Sequence, residues 1–247
     1  VADDLGWSDL SYMGSTYYET PNIDKLSKSG MTFYNGYASA ANCAASRATL
    51  LSGKYNTDHG IYTVKNSDRG SKKTRKLIPI ETKTTLDLDF FVIPEMLKDL
   101  GYVNGHFGKW HLGDIGFHPE NSGFDVNIGG NKHGGPGSYF APYPYVKLED
   151  ETKGEYLTDR IGDEVVKFID INKENNFFAY VPFFSVHTPI QSKPDYQKKY
   201  RNKNSNEYHN RADYAGMIQS LDENVGKIIG KIDELNLSEN TLIIFTS

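Results

Sequence analysis

The chain has 247 residues, 24% of them charged and 38% hydrophobic, an ordinary balance for one sizeable folded domain. A net charge of −5 and an isoelectric point near 5.8 argue against a nucleic-acid partner, which needs a clustered basic face. No apolar run approaches the roughly 18 residues that span a bilayer, and a single cysteine, Cys43, excludes an internal disulfide.

In chain order, Val1-Ala2 reads as the end of a strand, with Asp3 and Asp4 in the loop after it. Residues 22–29 read as a short helix stopped by Gly30, 31–38 as a strand, and 46–52 as a helix that starts after Cys43 and closes at Gly53. Residues 56–85 are polar, rich in lysine and without clear periodicity, and read as a surface excursion. Residues 93–100 form a predicted helix with Ile93, Met96, Leu97 and Leu100 on one face and Gly101 at its end. A strand over 102–107 leads into Gly108-Lys109-Trp110-His111, and residues 113–144 read as an extended loop region rich in glycine, proline and aromatics. A helix over 156–171, a buried strand over 177–186 ending at His187-Thr188-Pro189, a long helix over 211–235 and a last strand over 241–246 complete the pattern. Strands alternating with amphipathic helices predict an α/β fold with a mostly parallel central sheet flanked by helices, folded as one domain over 1–247. Both ends look cut. The chain starts without methionine or a signal peptide and stops on an apolar run, so a first strand and a C-terminal subdomain are expected outside it.

Asp3-Asp4, Lys109-Trp110-His111 and His187 each fall just after a predicted strand, where α/β sheets bind ligands. A lone cysteine is usually a small buried hydrophobe. Cys43 and Arg47, however, lie one helical turn apart at a predicted helix start, whose free N–H groups suit an anion. Asp3-Asp4 is either a cap or solvated turn or, if the chain turns there, a pair of oxygen ligands for a hard cation. Lys109 and His111, two apart on an extended segment, point to the same side. They form either an ordinary strand end or a charge-neutralising and proton-moving pair. His187 either caps its turn or works as an acid or base. The seventeen tyrosines read first as packing and second as platforms for sugar rings. His59, His106 and His209 read as structural, and His118 and His133 as structural or as substrate contacts.

Asn42-Cys43-Ala44-Ala45-Ser46-Arg47 with Ala48-Thr49-Leu50-Leu51-Ser52-Gly53 resembles the maturation sequence of the sulfatases, with Ala45 where proline is usual. Asp3-Asp4-Leu5-Gly6-Trp7, Gly108-Lys109-Trp110-His111-Leu112-Gly113 and Ser185-Val186-His187-Thr188-Pro189 resemble three further elements of that family, in its order. The resemblance implies an alkaline-phosphatase-like fold and hydrolysis of sulfate monoesters through a formylglycine made from Cys43. It implies Ca²⁺, or Mg²⁺, held by Asp3, Asp4 and the group at position 43, with further ligands expected beyond Ser247. Arg47 and Lys109 would stabilise charge. His187 is the candidate acid for the leaving alcohol and His111 the partner of the nucleophile, with the two histidine roles exchangeable. Residues 123–143, with their Gly-rich and aromatic composition, resemble bacterial polysaccharide sulfatases, which implies a sulfated carbohydrate substrate and a periplasmic or secreted location. The other partner implied is a formylglycine-generating or radical maturation enzyme, and Ala45 leaves open which. A phosphate or phosphonate monoester hydrolase of the same superfamily and a non-catalytic sulfated-glycan-binding homologue are the alternatives.

Overall fold

The computed structural model describes residues 1–68 and 70–247; position 69, within the polar excursion, lies outside them. Among the described residues three strands, β1 (Val103–Phe107), β2 (Val126–Ile128) and β3 (Phe177–Tyr180), pair in the order β2-β1-β3, all parallel. Around them lie α1 (Pro21–Ser29), α2 (Cys43–Ser52), the single turn α3 (Asn56–His59), α4 (Ile93–Asp99), α5 (Leu157–Ile171), α6 (Pro194–Arg201) and α7 (Ala212–Glu234). The predicted α/β class with a parallel sheet flanked by helices is what the chain forms.

Strand β3 shows why the sheet has helices on both faces. Successive side chains of a strand point to opposite sides. Phe177 and Ala179 pack into one core with α5 and α7, while Phe178 and Tyr180 pack into a second with α2 and Trp110. On β1, Gly105 faces the first core, where the rings of Phe107 and Phe168 leave no room for a Cβ. In that core α5 buries Leu157, Ile161, Val165 and Phe168 at three-to-four spacing, and α7 buries Met217, Leu221, Val225 and Ile232, with Ile228 partly buried between the last two. A Cβ at Gly162 would run into the Asn224 side chain, so this glycine sets how closely α5 and α7 approach.

Several predicted boundaries are corrected. Residues 31–38 form no strand, because Met31, Phe33, Tyr34 and Tyr37 are all strongly exposed and meet no sheet. Strand β3 stops at Tyr180, so His187 lies seven residues beyond it on an irregular segment. Residues 241–246 and Val1-Ala2 are not regular strands. Val1-Ala2 nevertheless makes ladder-like bonds on two sides: Ala2 N–H donates to the Thr246 carbonyl, and the Val1 carbonyl accepts from Phe183 N–H. The loop over 113–144 contains β2, and the unpredicted α6 covers α7. No helix among the described residues is long and apolar enough to cross a membrane.

Candidate active site

Four separate segments converge, and backbone bonds explain why. Asp3 N–H donates to the Ser185 carbonyl at 2.9 Å, and Val186 N–H donates back to that of Asp3 at 2.8 Å. This pairing places Asp3-Asp4 against the segment that carries His187. Lys109 N–H donates to the Pro182 carbonyl at 2.8 Å, joining the exit of β1 to the same segment. Gly108, at φ 123°, allows that approach, since a Cβ would collide with the Pro182 carbonyl oxygen.

Beneath the site is a buried ion triad. Asp3 Oδ1 accepts from Arg47 Nη2 at 3.0 Å and Asp3 Oδ2 from Lys109 Nζ at 2.5 Å. The Arg47 Nη1 group donates to the Lys109 carbonyl at 2.7 Å. Lys109 is fully buried and the other two are 4% exposed. Burial alone would raise the Asp3 carboxyl, but the Arg47 and Lys109 charges hold it below the usual carboxylate range. Two cations and one carboxylate leave the triad with a net positive charge.

Above the triad the groups are more open. Cys43 is the first residue of α2, whose N-cap, Asn42, makes no side-chain cap bond. Its Sγ lies 3.4 Å from His111 Nδ1. Burial, then the nearby Lys109 and Arg47 charges, push His111 down to about 4, so it is neutral near pH 7. His187 Nδ1 donates to the Thr188 carbonyl at 2.7 Å, and its Nε2 stands 3.8 Å from Asp4 Oδ2. Asp4 is the most exposed of these groups, at 59%. Asp4 and His111 both adopt left-handed backbone, φ 61° and 63°, which is rare outside glycine and concentrates at functional sites.

The seven sequence-predicted residues therefore fall in one neighbourhood, with one change of arrangement. The segment beyond β1 is not extended, because positive φ at Gly108 and His111 breaks the alternation. Lys109 and His111 consequently do not share a side: Lys109 turns into the core and His111 faces Cys43. Reading the sequence missed Gly134 and Gly135, which lie against the rings of His111 and His187. His59 and His106 are buried, as their structural reading requires, while His133 stacks on Tyr145, ring centroids 4.7 Å apart. A cavity of about 750 Å³ lies elsewhere, between β3, α5, α7 and residues 240–246.

The family resemblance implies a divalent cation here, and the donors fit one only in part. Asp4 offers a carboxylate, but both Asp3 oxygens are engaged by Arg47 and Lys109. Among the described residues no three His, Cys, Asp or Glu side chains gather as a metal site. Ca²⁺ takes six to eight oxygens, so these residues alone do not enclose it.

Comparison with known proteins agrees with this picture. A sequence model of the sulfatase family matches residues 1–247. A sulfatase of Formosa agariphila is 33% identical, and the canine N-acetylgalactosamine-6-sulfatase is 32% identical. Both alignments cover all of this chain, and 56% and 48% of those proteins, so the chain spans about half the length of the relatives it matches. The crystal structure of Ps i-CgsB in complex with k-i-k-neocarrahexaose superposes with a TM-score of 0.77 at 31% identity, covering 97% of this chain and 55% of that one. With a family match over its whole length, the same α/β fold and the four family elements gathered at one place, the chain belongs to the sulfatase family.

Proposed function

We propose that residues 1–247 form one catalytic domain that hydrolyses sulfate monoesters of a carbohydrate, with position 43 as the nucleophile. The observation that carries this reading is the contact of Cys43 Sγ with His111 Nδ1 at the start of α2, above a buried triad of net positive charge. A sulfate monoester is an anion with a poor leaving group. Its hydrolysis needs positive charge near the sulfate, a proton acceptor at the nucleophile and a proton donor at the leaving oxygen.

The helix start and the triad supply the positive field. His111, kept neutral by its surroundings, accepts a proton from the group at position 43. His187 has Nδ1 committed to the Thr188 carbonyl, so its imidazolium form carries the second proton on Nε2, beside Asp4, and can deliver that proton to the leaving alcohol. That division supports the histidine order expected from the family resemblance. Oxidation of Cys43 to formylglycine by a maturation enzyme would supply a hydrated aldehyde as the attacking group. Ca²⁺ or Mg²⁺ held through Asp4, whose carboxylate lies outside the triad, would supply further positive charge at the sulfate.

A carbohydrate substrate is supported by the names of the relatives, one an N-acetylgalactosamine-6-sulfatase and another bound to a neocarrahexaose. The half-exposed ring of Tyr145, stacked on His133 beside the site, offers the kind of apolar face on which sugars rest. Such a substrate fits a periplasmic or secreted protein. Mass spectrometry of the peptide carrying residue 43 should show the loss that converts a thiol into an aldehyde. Cys43→Ala should lower turnover of sulfated oligosaccharides at least about 10³-fold with the circular dichroism unchanged. Undiminished turnover in that variant refutes the nucleophile, and turnover confined to aryl sulfates refutes the carbohydrate substrate.

A further inference from the structure

Gly134 and Gly135 are consecutive, and each lies against a different histidine of the site. A Cβ at Gly134 would stand 2.6 Å from His111 Cε1, 2.8 Å from its Nε2 and 3.1 Å from its Nδ1. A Cβ at Gly135 would stand 3.3 Å from both Cε1 and Nδ1 of His187 and 3.4 Å from the Thr188 carbonyl oxygen. Neither glycine is at positive φ, unlike Gly129 and Gly137 on either side. What these two positions require is the absence of a side chain, not glycine's backbone freedom.

The segment that carries them is tied down. The Asn131 carbonyl accepts from His111 N–H at 3.0 Å. The Asn131 side chain donates to the Tyr145 carbonyl at 2.8 Å and accepts from His133 N–H at 2.8 Å. On the other side, the Tyr139 hydroxyl donates to the carbonyls of Phe184, at 2.6 Å, and His187, at 2.9 Å. With both backbones anchored, an added methyl group must be relieved by movement of an imidazole.

We infer that Gly134 and Gly135 form a backbone seat that sets where His111 and His187 stand relative to the group at position 43, and so act as positioning residues. This rests on the function proposed above. The two contacts differ in tightness, so the two variants should differ. Gly134→Ala leaves contacts below 3.0 Å that only displacement of the His111 ring relieves. Misplacing a reacting group by about 1 Å can cost 10²-fold, so kcat should fall roughly 10- to 100-fold, with KM within about twofold. Gly135→Ala leaves contacts that a shift of a few tenths of an ångström accommodates. Its kcat should fall less than about tenfold, and only for esters whose leaving alcohol needs protonation.

The test uses the whole protein labelled at the histidine ring carbons, with signals assigned through His111→Gln and His187→Gln. Gly134→Ala should move the His111 ring signal and leave that of His187 in place, and Gly135→Ala the reverse. Gly230→Ala, at a helical position with open space around it, should move neither. A Gly134→Ala protein with an unmoved His111 signal overturns the seat, and so does one whose signal moves while kcat stays unchanged. If the parent protein turns over no sulfate ester, the proposed function fails while the ring signals still decide whether the seat exists.

Discussion

The two aspartates that open the chain are neighbours in sequence and opposites in setting. Asp3 is 4% exposed and both its oxygens hold buried cations; Asp4 is 59% exposed, in left-handed backbone, with one long contact to His187. The same split divides the rest of the site. Arg47 and Lys109 are sealed beneath it, whereas Cys43, His111 and His187 are partly open. The lower layer is held by charge pairing away from water, where a missing partner is costly. The upper layer keeps unused donors and acceptors facing outward, which is what a site that exchanges protons with a ligand requires. Burial first, and then the positive lower layer, depress His111, so charge couples the two layers.

The sharpest way to break this comparison is to treat the two aspartates alike. Asp3→Asn removes the only carboxylate of the triad and leaves Arg47 and Lys109 buried without it. Breaking a buried pair typically costs 3–5 kcal/mol. Asp4→Asn removes an exposed charge and keeps a side chain that tolerates left-handed backbone, so its cost should stay within about 0.5 kcal/mol. Urea unfolding of both variants in chelator checks the contrast. Equal losses would show that the triad is not the structural layer described here.

Much of this was legible in the sequence, though unevenly. Helices α5 and α7 announce themselves through apolar residues at three-to-four spacing, and β1 through its short run between Gly101 and Gly108. The seven site residues were legible as chemical types in motifs. Their division into two layers was not, because Lys109 and His111 have no sequence feature that says which turns inward. That depends on left-handed turns at Gly108 and His111, which packing against residues 182 and 131 imposes. Residues 31–38 misled through real β-type alternation, since Met31, Phe33 and Tyr37 have no sheet to meet. Helix α6 buries only Tyr200 among its eight residues, too little to form a stripe. Gly134 and Gly135 were hidden among many loop glycines, and only the placement of two distant imidazoles distinguishes them.

A second contrast separates His106 from the site histidines. It is fully buried among the rings of Trp110, Phe124 and Tyr180. Burial and then the Arg47 charge push it from 6.5 down to about 3. Its native value lies below its unfolded value, so the unfolded chain binds the extra proton first. The stability it protects is complete above about pH 6.5 and is lost as the pH falls toward 3, with a slope of up to about 1.4 kcal/mol per pH unit. Asp3, also depressed, begins to contribute only near the lower carboxylate range, so the window between pH 6.5 and about 4.5 reports histidines. Comparing unfolding free energies of the parent and His106→Leu across that window should give a flatter pH dependence for the variant. Parallel curves would remove His106 from the account.

The smallest effect tests the idea that ion pairs matter here only where they are buried. Lys132 and Asp114 lie 2.6 Å apart, with Asp114 three residues beyond His111 and both side chains about half exposed. In geometry this pair matches Lys109 and Asp3, whose separation is 2.5 Å; it differs in having water around it. Exposed pairs contribute about 0–1 kcal/mol because solvent screens the attraction and holding two long side chains costs entropy. Lys132→Ala should therefore change stability by less than about 1 kcal/mol, and that small change should shrink further in molar salt. The penalty of Asp3→Asn should persist in the same salt, because ions do not reach the triad. If salt erased both penalties alike, burial would not be what sets Asp3 apart, and the lower layer would be an ordinary surface network.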